Sequence, residues 1–300
     1  MDKIKPSVID GKRLIEAPSF LLKKMQKEIL LDLRKLEIPS NIFSGVKDRS
    51  YVKNGSMHNG KHHFMKIDLS KFFPYITRNN VYKFYKEKFN LPPDLAEILT
   101  NLSTINVDKI DVSKLNSFQK ENYKNATTFI KNKNITVHNH LITGSRISPL
   151  LSYLINEEMF EEIQSMCDKF KIYFSIYVDD MAFSSNKKIS NSFVQKIYSI
   201  IEKHGYVINK EKTRIVDINR RKKITGVIID KEGNLKCPKK LEYKLKKYND
   251  EFKKNNFENI DKLHGTIVAM HEIEPEKYEY LYKLITKKYK EIIKAKNNNN

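Results

Sequence analysis

Tryptophan is absent from this chain, and cysteine occurs only twice, as Cys167 and Cys237. Two cysteines so far apart supply neither a zinc-ligand spacing nor a disulfide framework, and the reducing cytoplasm is the expected location. No apolar run approaches the roughly 20 residues a membrane span needs, so no membrane association is expected. Residues 1–6 lack the apolar core of a secretion signal. Acidic residues are in the minority, with 36 Asp and Glu against 56 Lys and Arg and a net charge of +20. Such an excess draws polyanions, because each neutralised phosphate releases a counterion. The 16 Tyr and 16 Phe offer faces on which bases can stack. An AT-rich genome would also produce a Lys- and Asn-rich chain, and most of these rings belong in a core. Composition alone leaves nucleic-acid binding open.

Leu21, Leu22, Met25, Ile29, Leu33 and Leu36 recur at helical spacing after Ser19, which predicts a helix over 20–36 with Ser19 as N-cap. Gly45, Gly55 and Gly60 punctuate a loop-rich stretch. Residues 64–69 read as a strand ending in a carboxylate, and 79–89 as a helix closed by Pro92 and Pro93. Residues 101–138 are Asn-, Lys-, Ser- and Thr-rich and weakly patterned, the mark of an inserted excursion. A long helix is expected over 148–167, with Ser148 as N-cap and Pro149 at the first helical position. Strands over 172–177 and 181–184 would form a hairpin, followed by a helix at 190–203 and short strands near 206–209, 213–217 and 223–229. Beyond Cys237 come Lys-rich helices over 239–254, 258–271 and 275–294, and a disordered tail at Asn297–Asn300. Strands mixed with helices, then helices alone, give an α+β core with a helical appendage.

Asp68 closes the apolar strand Phe64–Leu69, and Asp179 and Asp180 stand between two more apolar strands. An acid in such a place is costly to bury without a partner. If those strands are neighbours in one sheet, three carboxylates converge, and hard divalent cations would relieve their repulsion. Two magnesium ions about 4 Å apart could activate an attacking hydroxyl and stabilise departing pyrophosphate. Asp is also an ordinary turn residue, and an Asp-Asp pair in a turn is structural most of the time. The specific signal is Tyr177-Val178-Asp179-Asp180 between apolar strands, downstream of Asp68-Leu69-Ser70-Lys71-Phe72-Phe73.

These two motifs sit within a longer ordered series. Residues 12–19 (KRLIEAPS), 42–46 (IFSGV), 68–73 (DLSKFF), 144–149 (GSRISP), 177–180 (YVDD), and Gly205-Tyr206 through Asn209, Lys212 and Thr213 together resemble the bacterial reverse transcriptases. Within that group the chain resembles the retron enzymes. Asn54-Gly55-Ser56-Met57-His58 is similar to their Asn-Ala-X-X-His signature with Gly in place of Ala, and Ile224-Thr225-Gly226 is similar to their Val-Thr-Gly. The resemblance implies a right-hand polymerase, with fingers at 1–63 and 80–145, palm at 64–79 and 146–235, and a helical thumb at 236–300. It implies RNA-directed DNA synthesis from deoxynucleoside triphosphates with two magnesium ions, on a bound noncoding RNA that is both template and 2′-hydroxyl primer, giving a DNA product branched from the RNA. It further implies antiphage defence with a separate effector protein.

Asp68, Asp179 and Asp180 are the candidate catalytic and metal-binding residues; Asp68 and Asp179 are the best candidates to bridge both metals and Asp180 is the weaker ligand, since in the family it resembles the second hairpin acid often supports rather than ligates. The backbone carbonyl of Leu69 is a candidate fourth ligand. The resemblance makes Phe73 a steric gate against a 2′-hydroxyl; the plainer alternative packs Phe72 or Phe73 in the core. Lys12 and Arg13 could clamp the triphosphate, and Lys212 could neutralise or protonate pyrophosphate. Gly144 permits close backbone approach to template or base. Thr143 departs from the family, standing where a Gln contacts the incoming nucleotide. Asn54, His58, Arg220, Arg221, Lys222, Lys223 and His264 are candidate nucleic-acid contacts, although a basic run is by default a solvated face. Two rivals remain open: an abortive-infection polymerase that primes from protein or works without a template, and a catalytically idle RNA-binding scaffold.

Overall fold

The computed structural model describes residues 4–9, 13–254 and 256–298. The chain divides into two compact units. One comprises Met1–Arg49, Lys66–Ala182 and Ile189–Arg214, and the other Ser50–Met65, Phe183–Lys188 and Ile215–Asn300.

The first unit opens with a hairpin of β1 (Ile4–Ile9) and β2 (Arg13–Pro18), in register from Ile4 opposite Pro18 to Ile9 opposite Arg13. Sequence patterning does not reveal it, because the buried face of β2 is Leu14, Glu16 and Pro18 rather than an apolar row. Helix α1 (Phe20–Leu33) starts where the Ser19 hydroxyl accepts from the Leu22 N–H, and it buries Leu22, Gln26, Ile29, Leu30 and Leu33. It is a turn shorter than expected. Helix α2 (Tyr51–Ser56) belongs to the second unit, and β3 (His63–Asp68) carries the first acid.

Helices α3 (Phe72–Tyr75) and α4 (Arg78–Lys83) follow, and α4 continues as one π-helical turn over Phe84–Lys88. That turn ends the helix expected over 79–89 ahead of Pro92, and Pro93 then opens α5 (Pro93–Ser103). A proline at the first helical position forfeits no hydrogen bond. The 101–138 stretch is ordered: β4 (Thr104–Asn106), α6 (Ser117–Asn132) and β5 (Asn139–Leu141), with β4 and β5 paired antiparallel and α6 packed on β1. Its weak pattern has a cause, since α6 buries only Ala126 and Ile130.

The long helix expected over 148–167 is two helices, α7 (Ser148–Ile155) and α8 (Glu157–Phe170). They part at Asn156, whose amide donates to the Ser152 carbonyl in competition with the helical ladder. Ser148 is not an N-cap; its hydroxyl donates to the Ile142 carbonyl and its backbone is already helical. The hairpin of β6 (Tyr173–Tyr177) and β7 (Asp180–Ser185) appears where expected, as does α9 (Asn191–Lys203) behind its cap Ser190. Near 206–209 only Ile208 pairs, as a single bridge to Leu69. With β8 (Arg214–Val216), the central sheet runs in the order β6-β7-β3-β8.

In the second unit the strand expected at 223–229 folds back on itself as β9 (Lys222–Ile224) and β10 (Val227–Ile229). Thr225 and Gly226 turn with positive φ of 40° and 102°. Strand β11 (Leu235–Lys236) completes a three-stranded sheet. Helices α10 (Lys239–Lys253), α11 (Ile260–Ile273) and α12 (Pro275–Asn298) follow. Helix α11 is the packed centre, burying Ile260, Leu263, Ile267 and Met270, whereas α10 buries none of its side chains. Asn297 and Asn298, expected to be disordered, end α12; residues 299–300 lie outside the described ones. The architecture is α+β, and among the described residues no helix is long and apolar enough to cross a membrane.

Candidate active site

Strand β3 buries Met65 and Ile67 completely and delivers Asp68 at its end, with only 6% of that residue exposed. The Asp68 carbonyl accepts from the Asn209 N–H at 2.8 Å, and Ser70 N–H donates to the Val207 carbonyl at 2.8 Å, so segment 207–209 splints the strand end. A turn beginning at Asn209 brings Lys212 back, and its ammonium lies 3.2 and 3.3 Å from the two Asp68 oxygens. Strand β7 neighbours β3, and across that pairing the Lys66 ammonium donates to Asp180 Oδ2 at 2.7 Å.

The turn between β6 and β7 holds Val178 at φ +63°, a left-handed conformation that strains a β-branched residue. The segment before Gly45 holds it there. Ile42 bridges Ile176 in parallel, Phe43 N–H donates to the Ile176 carbonyl (2.8 Å), and Ile176 N–H donates to the Asn41 carbonyl (3.0 Å). The buried Ser44 hydroxyl then accepts from Val178 N–H at 2.7 Å. Arg49 braces this segment by donating to the carbonyls of Ile38, Pro39 and Ile42. Gly45, at φ +70°, runs so close to α7 that a Cβ would lie 3.1 Å from the Leu150 nitrogen.

Burial pushes the Asp179 carboxyl up to about 6, with the charges of Asp180 and Asp68 adding to the effect. Crowded carboxylates of this kind are stabilised by a cation. Among the described residues no group of three or more His, Cys, Asp or Glu side chains stands arranged to hold a metal ion. The donors nevertheless suit a hard divalent ion: oxygen ligands only, on adjoining strand ends, with the Lys212 ammonium already standing as a positive charge against both oxygens of Asp68.

The other candidates fall into different settings. Leu69 is buried beside the acids. Phe72 is the core ring, 5.3 Å from Tyr206, while Phe73 is only half-buried. Thr143 faces β2: its N–H donates to Glu16 Oε2 (3.0 Å), and its hydroxyl accepts from Glu16 N–H (3.1 Å) and donates to the Leu14 carbonyl (3.2 Å). The close approach at Gly144 is to β2 as well, since a Cβ there would lie 2.6 Å from the Glu16 carbonyl oxygen. Lys12 lies outside the described residues, and Arg13 begins β2.

In the second unit, Asn54 and His58 are buried. Asn54 Nδ2 donates to Thr225 Oγ1 at 3.0 Å, and His58 Nδ1 lies 2.7 Å from Ser184 Oγ. Burial, with the nearby charge of His62, pushes His58 down to about 3. The two retron-like signatures therefore meet through Asn54 and Thr225. Arg220, Arg221 and Lys223 are exposed, but Lys222 is turned inward, 1% exposed, with its ammonium donating to the Ile218 carbonyl at 3.1 Å. His264 is half-buried and stacks on Tyr289, ring centroids 4.1 Å apart.

Sequence reasoning missed Lys66, Ser44, and the Glu16–His140 pair that underlies Thr143. Lys66 had a signal, since it lies two residues before Asp68 and so on the same strand face.

The model of the reverse transcriptase (RNA-dependent DNA polymerase) family matches residues 4–244. Similar curated proteins include the retron Ec83 reverse transcriptase of Escherichia coli, 27% identical over 91% of this chain and 82% of its own length. The retron Ec86 reverse transcriptase of Escherichia coli is 28% identical over 73% of this chain and 59% of its own. A solved telomerase structure from Candida albicans is similar over 95% of this chain and 56% of that one, at 15% identity and a TM-score of 0.47. With four-fifths of its length inside the family match, the chain belongs to the reverse transcriptase family of RNA-dependent DNA polymerases, and the two curated relatives named above are retron enzymes.

Proposed function

We propose that this protein copies a bound, structured noncoding RNA into single-stranded DNA, priming from a 2′-hydroxyl of that RNA. The observation that supports it most is the gathering of Asp68, Asp179 and Asp180 at adjoining strand ends, with the turn between β6 and β7 braced by Ser44. Asp68, Asp179 and the Leu69 carbonyl would hold the metal, magnesium in this reading, while Lys66 keeps Asp180 in a supporting place. Bound there, divalent ions supply charge neutralisation at the transferring phosphoryl group. Lys212 would meet the pyrophosphate that leaves as the new phosphodiester forms, and Lys12 and Arg13 would clamp the triphosphate. Phe73 is the sugar gate. Fingers, palm and thumb fall at 1–63 with 80–145, 64–79 with 146–235, and 236–300. Exposed Arg220, Arg221, Lys223 and the Lys-rich α10 contact the phosphates of template and product. Antiphage defence with a separate effector protein belongs to the same reading, carried over from the retron resemblance of the sequence.

Nucleic acid copurifying with the protein tests the priming mode. DNA branched from RNA, released by debranching enzyme or ribonuclease, is expected. DNA that resists ribonuclease but shifts after protease treatment would assign a protein hydroxyl as primer and move the chain to the abortive-infection group. For the gate, Phe73→Ala should raise ribonucleotide over deoxynucleotide incorporation by roughly tenfold. Unchanged selectivity with lowered stability would make Phe73 a packing residue.

A further inference from the structure

Strand β2 and the loop that enters α7 are joined by a sealed polar cluster. Glu16 and His140 are both completely buried, with Glu16 Oε1 3.0 Å from His140 Nε2. His140 Nδ1 lies 2.7 Å from the Val137 carbonyl, an oxygen that can only accept, so Nδ1 carries a proton. Nε2 faces the Glu16 carboxyl, so both ring nitrogens are engaged, and a positive charge on the ring would stand against that carboxyl. Burial works against that charge, but the hydrogen bond and charge of Glu16 together with the Val137 carbonyl outweigh it and raise the His140 pKa. The second Glu16 oxygen takes the Thr143 N–H, and the Thr143 hydroxyl is spent on the β2 backbone. From the other side, Gly144 sets the spacing, since a side chain there would strike the Glu16 carbonyl.

Every side-chain polar atom of the cluster is matched; Glu16 and His140 are wholly buried and Thr143 is half-buried. Such a cluster specifies one arrangement rather than merely adding stability. The two segments it joins are the ones given to the incoming nucleotide: β2, which begins at Arg13, and the loop through Gly144. We propose that Glu16, His140 and Thr143 are positioning residues that lock β2 against the 143–148 loop and thereby set the affinity for the incoming deoxynucleoside triphosphate. This rests on the polymerase reading above. Position 143 then acts through the backbone it fastens.

The chemistry distinguishes the variants. In Glu16→Gln the amide oxygen still takes the Thr143 N–H, and one amide N–H donates to a neutral His140 whose Nδ1–H keeps the Val137 carbonyl; the bonds that join the two segments stay in place without charge, at the cost of one spare amide N–H. Glu16→Ala leaves it open. Thr143→Val keeps the ion pair but drops both hydroxyl bonds. Steady-state kinetics on a homopolymeric RNA with an annealed DNA primer and the complementary deoxynucleotide should show KM raised roughly tenfold in Glu16→Ala and roughly threefold in Thr143→Val, with kcat changed less. Glu16→Gln should stay within about twofold of the unaltered protein. Glu16→Gln as impaired as Glu16→Ala, or Thr143→Val with unaltered KM, overturns the proposal even if Glu16→Ala fails to fold. An unaltered protein that extends no primer sinks the polymerase reading and the positioning role with it. An active protein whose variants keep its KM sinks the positioning role alone.

Discussion

Asp68 and Glu16 are both buried carboxylates on strands of the same unit, yet they hold their counter-charges differently. The partner of Asp68 is Lys212, on a side chain 65% exposed and at 3.2 Å. The partner of Glu16 is His140, wholly inside the protein. A flexible, solvated ammonium is an exchangeable partner, able to yield to another cation or follow a leaving anion. A buried imidazole ring engaged at both nitrogens is not. Asp68, a candidate catalytic acid, is left with a replaceable partner, whereas Glu16 is sealed together with its own.

The largest effect should come from the exchangeable site. Replacing Asp179 and Asp180 together by Asn should cut DNA synthesis by roughly a thousandfold or more, with RNA retention on a filter nearly unchanged. Synthesis at an ordinary rate in that variant would remove these acids from the chemistry. At the sealed site the loss should be one of stability. His140→Leu strands an unpaired buried carboxylate and should cost about 3–5 kcal/mol in denaturant unfolding. Lys212→Ala removes only an exposed partner and should cost less than about 1 kcal/mol while slowing synthesis. Equal stability losses in the two variants would erase the contrast.

Smaller effects sharpen it. Ser44→Ala leaves the Val178 N–H without its acceptor in a strained turn and should cost about 1–2 kcal/mol. The kcat of that variant should fall more than its KM for the nucleotide rises, the reverse of Glu16→Ala. Matching kinetic signatures would mean that both loops act on one step. Smallest is Lys66→Met, which frees Asp180 without removing it. A loss of about threefold in kcat is expected, and a loss as large as that of the double Asn variant would promote Asp180 to a full ligand.

Much of this could be read from the chain before any coordinates. The strand ending at Asp68, the Tyr177–Asp180 hairpin, the Ser19-capped helix and the three Lys-rich helices all carry local signals: a period of two or 3.6, a cap, or acids at a turn. The β1–β2 hairpin and the order within 101–138 carry none, since their buried faces are thin or interrupted by a polar residue.

The candidate catalytic acids and their order were therefore legible in short-range pattern, because a strand end and a turn need only neighbouring residues to define them. Which charge each acid meets was settled by folding. Lys66 stands 114 positions from Asp180, Lys212 144 from Asp68, and His140 124 from Glu16. The inward turn of Lys222 and the burial of Asn54 and His58 were settled the same way. Contacts between residues so far apart leave no periodic trace in a single chain, and whether a polar side chain is exposed or sealed depends on what the rest of the fold brings to it.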